Sequence, residues 1–77
     1  MSRWTPCKRA DFIRRLAKLG FTGPYSGTRH QFMTTGQRRL AIPSNGEYSV
    51  GQVRFMIREV ELILGRTISQ DDWGRLS

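Results

Sequence analysis

Seventy-seven residues make one domain, enough for a single layer of helix on sheet or a small bundle and too few for a deep catalytic cavity, so any site must lie at the surface. The formal charge of +7 is uneven: residues 1–46 hold nine Lys or Arg against Asp11 alone, whereas residues 47–77 hold four against five acids. With a pI near 11.1, phosphate is the expected counter-charge, and no stretch joins a basic face to the aromatic anchors that a membrane surface favours. One cysteine, Cys7, excludes an internal disulfide and a thiolate zinc cluster and fits a reducing compartment. Without an apolar run of signal-peptide or membrane-spanning length, a cytoplasmic protein is expected.

Thr5-Pro6 reads as a helix start, Thr capping and Pro in the first position, with Cys7 a small filler. The helix runs to about Leu19 and ends at Gly20. Phe12, Ile13, Leu16, Ala17 and Leu19 form its apolar stripe. Lys8, Asp11, Arg14, Arg15 and Lys18 lie opposite, where the four cations are either a solvated face or a track for a phosphate backbone. Phe21 to Ser26, interrupted by Gly23-Pro24, suits an irregular edge strand.

Gly27-Thr28 is a turn, Arg29 to Thr35 a strand, Thr35-Gly36-Gln37 a hairpin connection, and Arg38 to Ile42 a second full strand stopped by Pro43. Alternation puts Thr28, His30, Phe32 and Thr34 on one face and Arg29, Gln31 and Met33 on the other, leaving open which face is core. Packing under the helices is the expectation for Phe32, with base stacking by Tyr25 and Phe32 the alternative. Residues 43–48 have loop composition throughout. Ser49-Val50-Gly51-Gln52 matches a capping box. A second helix then carries Val53, Met56, Ile57, Val60, Ile63 and Leu64 on one face and stops at Gly65, with Arg58 able to pair with Glu61. Beyond the core of about residues 5–65, an extension of residues 66–77 has Ser69, Asp71 and Asp72 at the start of a short helix, the aspartates stabilising its N-terminus. Trp73 either folds back on the domain or meets another protein.

His30, the only histidine, sits among arginines with no acid between Asp11 and Glu47. An imidazole titrates near neutrality, so in a cationic field it can move protons while its neighbours hold a phosphodiester. Read as spacing alone, such a histidine is usually just a polar residue at a strand edge. Arg29, with Arg38 or Arg39 across the hairpin, could neutralise charge at phosphorus. Clustered carboxylates for a two-metal site are missing from the basic half, so no metal or other cofactor is expected.

An α-β-β-β-α order with both helices on one face of a three-stranded antiparallel sheet is the α+β arrangement of double-stranded-RNA-binding domains. Leu19-Gly20-Phe21, Gly27-Thr28-Arg29-His30, Arg39-Leu40-Ala41-Ile42-Pro43 and Ser49-Val50-Gly51-Gln52-Val53-Arg54, in that order over roughly residues 7 to 65, resemble the HicA family of toxin mRNA interferases. The set at these spacings is specific, though no single element is. The resemblance implies an endoribonuclease of a toxin-antitoxin stress-response system. It would act on mRNA with His30 as catalytic residue and Thr28 and Arg29 beside it. A HicB-type antitoxin would cover the site, the toxin being a monomer inside a larger hetero-oligomer. Many members carry two histidines in tandem here; this chain has Arg29 in the first place. A different class is a non-catalytic RNA-binding module of the same fold. A third is an interaction protein docking through Trp4 and Trp73.

Overall fold

A computed structural model describes residues 3–77. The chain is a small α+β domain: β1 (Cys7–Lys8), α1 (Arg9–Lys18), β2 (Thr22–Tyr25), β3 (Gln31–Thr35), β4 (Arg38–Ile42), β5 (Glu47–Tyr48), α2 (Val50–Leu64) and α3 (Gln70–Gly74). Strands β2, β3 and β4 form an antiparallel sheet in that order, and β1 pairs with β5 in a separate ribbon.

One face of the sheet is covered. Met33 and Leu40 are paired across β3 and β4 and fully buried. With Ile42 they meet Phe12 and Leu16 of α1 and Val53, Met56, Ile57 and Val60 of α2 in one cluster. This is the hydrophobic spacing read from each helix, except that Ala17 is exposed. Since side chains alternate along a strand, burial of Met33 puts Phe32 and Thr34 on the opposite face, which no helix covers. Phe32 therefore does not pack under the helices.

The caps explain where the helices stop. After α1, the Phe21 N–H bonds the Leu16 carbonyl and the Gly20 N–H that of Ala17, a Schellman closure made possible by Gly20 at φ 102°. Ser49 Oγ accepts the Gln52 N–H to open α2, and Gly65 at φ 72° ends it. The Gln52 side chain does not complete a capping box; it exchanges two hydrogen bonds with Asn45. Gly36, at φ 58°, occupies the first central position of the β3–β4 turn.

Three further sequence expectations are corrected. Helix α1 begins at Arg9, not at Thr5-Pro6, because Cys7 and Lys8 are drawn into backbone pairing with Tyr48 and Glu47. For the same reason residues 43–48 are not loop throughout, and Tyr48 is fully buried. Strand β3 begins at Gln31, so Arg29 and His30 lie in a bend before it.

Residues 66–77 fold back. Ser69 and Asp72 form a full capping box at the start of α3, and the Ser69 N–H bond holds the Asp72 carboxyl below its ordinary range. Trp73 is buried with its ring centroid 4.7 Å from that of Phe12, and Ile68 joins the same core. Glu61 accepts the Ile68 N–H at 2.7 Å, which turns its carboxylate to the chain after α2.

Candidate functional site

The bend at residues 28–30 is shaped by a close approach. A Cβ on Gly27 would collide with the His30 carbonyl oxygen and stand 3.2 Å from Phe32 Cδ1. Only glycine lets the chain double back there, and that fold delivers Thr28, Arg29 and His30 to the surface, all exposed. His30 is thus an accessible imidazole at the entrance to β3.

Register decides its neighbours. Gln31 pairs with Ile42, whereas Arg39 pairs with Thr34 and Arg38 with Thr35. Arg39 and Arg38 therefore face positions four and five residues beyond His30, roughly 13–17 Å along a strand rising about 3.3 Å per residue. Their backbones lie toward the turn end of the hairpin, while the Arg39 side chain leans back so that its guanidinium carbon stands 4.4 Å from the centroid of Phe32, two residues from His30.

The cation brought to the His30 end is Arg9, a residue the periodicity of α1 gave no reason to single out. Its Nη2 donates to the Gln31 side-chain oxygen and its Nε to the Pro43 carbonyl at 3.0 Å. That carbonyl also accepts the Tyr48 hydroxyl at 2.7 Å. Arg9 thus ties the start of α1 to the β3–β4 edge beside the His30 bend. Its signal in the sequence is only that it precedes an apolar stripe; its partners are 22 and 34 residues away.

The cations assigned to the face of helix α1 separate into different roles. Lys8 is exposed in the β1 ribbon, outside the helix, and Lys18 is exposed at the helix end. Arg14 pairs with Asp11 at 2.8 Å. Arg15 is turned inward: its guanidinium lies 5.4 Å from the Trp73 ring centroid, and Nη1 donates to the Trp73 carbonyl at 3.3 Å. It belongs to the packing of α3, not to an open basic track.

Cys7 is half-buried against the core, and burial pushes its thiol pKa up, away from nucleophilic thiolate. Among the described residues, no three His, Cys, Asp or Glu side chains gather as a metal set, and no helix is long and apolar enough to cross a membrane. An open groove of about 770 Å³ runs between Trp4, the outer side of α2 and the start of α3, lined in part by Arg54, Phe55 and Arg58. None of its lining comes from the sheet or the His30 bend, and Trp73, buried on Phe12, does not contribute to it.

The chain matches no family model, no curated protein and no solved structure.

Proposed function

We propose that this chain is a HicA-type endoribonuclease of the double-stranded-RNA-binding-domain-like class, cleaving mRNA without a metal through His30. The observation that carries the reading is the accessible imidazole of the 28–30 bend in a stretch without acids from residue 12 to residue 46. The helix order and the single covered face of the sheet are compatible with the fold that the sequence resemblance implies.

His30 takes the 2′-OH proton as the oxygen attacks the adjacent phosphorus. The P–O5′ bond breaks, the 5′-oxygen leaves as a hydroxyl by taking a proton from water, the His30 imidazolium returns its proton to solvent, and a 2′,3′-cyclic phosphate remains. Such proton transfer contributes roughly 10²–10⁴-fold. Arg29, and Arg9 through its place at the same strand end, supply positive charge for the phosphorane. A HicB-type antitoxin acting in the cytoplasm would cover this surface, holding the toxin as one subunit of a larger complex.

The test incubates the protein with a long single-stranded RNA in EDTA beside His30→Ala. Cleavage by the wild type alone, leaving cyclic or 3′-phosphate ends, is the expected result. A second reading, an RNA-binding module without catalysis, is favoured by the register, which sets the backbones of Arg38 and Arg39 beside Thr35 and Thr34 and not beside His30. RNA binding by both proteins with cleavage by neither establishes that reading instead.

A further inference from the structure

The uncovered face of the sheet carries a compact aromatic and cationic cluster. Register puts Tyr25 beside Phe32 and Phe32 beside Ala41, with Thr22, Thr34 and Arg39 forming the next row on the same face. The Tyr25 and Phe32 ring centroids are 5.7 Å apart, and the Arg39 guanidinium carbon stands 4.4 Å from the Phe32 centroid. Tyr25 is 47% exposed, although it is large and apolar over most of its surface. Its hydroxyl donates to Thr22 Oγ1 at 3.1 Å, and Thr22 Oγ1 lies 3.1 Å from Thr34 Oγ1, so the ring is held in place from its polar end. Ala41, small and exposed, leaves the far side of Phe32 low.

One exposed ring, Tyr25, beside the half-buried Phe32 with a guanidinium over it, on a stretch of chain without a carboxylate, fits a ligand that is flat, π-faced and strung on negative charge. A polynucleotide with unpaired bases has all three properties. Bases stack on aromatic side chains irrespective of sequence, and arginine adds a cation–π contact. A Watson–Crick duplex keeps its base faces inside its own stack and offers this surface only phosphates and groove edges. Phe32 also abuts Gly27 of the His30 bend, so the cluster adjoins the loop that bears the imidazole.

We propose that Tyr25, Phe32 and Arg39 form a stacking platform for unpaired bases, which makes single-stranded RNA the substrate class of the His30 site. The proposal rests on the RNA reading above and departs from the shape-reading of duplex that domains of this class use.

Anisotropy titrations test it with three labelled probes: a 2′-O-methyl single strand that cannot be cleaved through its 2′-oxygen, the same strand in a duplex, and an abasic strand with the same number of phosphates. The wild type binds the single strand tightest. Tyr25→Ala weakens that complex roughly 5- to 150-fold, the loss of one stacked base, and leaves the abasic strand unchanged, whereas Tyr25→Phe retains binding. Arg39→Gln, at an exposed position, gives a second loss that does not depend on the folding of the tyrosine variant. Equal wild-type affinity for the single and abasic strands, or equal affinity of wild type and both loss variants for the single strand, overturns the platform while the RNA reading stands. Failure to bind any of the three probes overturns both.

Discussion

The guanidinium of Arg15 lies over the indole of Trp73, 5.4 Å from its centroid, and also donates to the Trp73 backbone carbonyl. One cation thus holds Trp73 of the C-terminal helix through both its ring and its backbone carbonyl. A cation–π contact contributes about 0.5–2 kcal/mol and a hydrogen bond about 1 kcal/mol. Arg15→Ala should therefore lower unfolding stability by about 1–3 kcal/mol. Trp73→Ala, which empties a site against Phe12, should cost about 3–5 kcal/mol, much of what a domain this size possesses. Denaturant unfolding followed by circular dichroism measures both; a Trp73→Ala loss below about 1 kcal/mol would mean that the extension is not part of the cooperative fold.

Glycines 27 and 51 should respond oppositely to alanine. At Gly27 the added Cβ meets the His30 carbonyl, backbone that cannot swing aside, so overpacking of about 1–3 kcal/mol and a displaced bend are expected. At Gly51, inside α2 with nothing within 4 Å of the new atom, alanine removes glycine's unfolded-state entropy and stabilises by about 0.5–1 kcal/mol. Paired melting curves with amide spectra of His30 and Phe32 check this. A Gly27→Ala protein with unshifted His30 resonances would show that the bend is not set by this contact.

Both helices and the hairpin were legible because each is encoded locally: the apolar stripes of α1 and α2, Gly20 and Gly65 at the helix ends, Gly36 in the turn. What escaped was encoded at long range. Nothing near Cys7 announces that it pairs with Tyr48, 41 positions on, yet that pairing displaces the start of α1 and turns a loop residue into core. Arg9 likewise acquires its place beside the His30 bend from Gln31 and Pro43. The alternation of β3 left the core face undecided, since Phe32 and Met33 are both apolar; only the packing of Met33 on Leu40 resolves it and exposes the aromatic row. The sequence motif around His30 was visible, but the distance from His30 to Arg38 and Arg39 depends on pairing register, which residue spacing alone does not supply.

Stability should fall at both ends of the pH scale for different residues. Asp72 is held below its ordinary value by the Ser69 backbone N–H, so its contribution is fully present above the unfolded aspartate pKa and is lost as pH falls through the lower folded value. Asp72→Asn should reduce that acid dependence. Tyr48 and Cys7, paired across the β1–β5 ribbon, are both raised chiefly by burial. Their contribution is complete below their unfolded pKa values and is lost as pH rises through the folded ones. Tyr48→Phe should flatten the alkaline limb of a stability-versus-pH curve; an unchanged limb would assign the loss to other groups.

Salt dependence of the proposed RNA binding should distinguish exposed cations from those engaged inside the fold. Each phosphate contact on a single strand contributes a slope of about −0.7 in log K against log salt. Lys18 is exposed at the end of α1, so Lys18→Gln should reduce the magnitude of the slope by about that amount if the strand passes there, with stability within about 0.5 kcal/mol of wild type. Arg15 has the same charge three positions earlier but spends it on Trp73, so Arg15→Gln should cost stability and leave the slope unaltered. The comparison is made at a temperature where both variants are folded. Equal slope changes in the two would mean that Arg15 leaves Trp73 when RNA binds, and an unchanged slope in both would place the phosphate path along Arg29 and the sheet, away from α1.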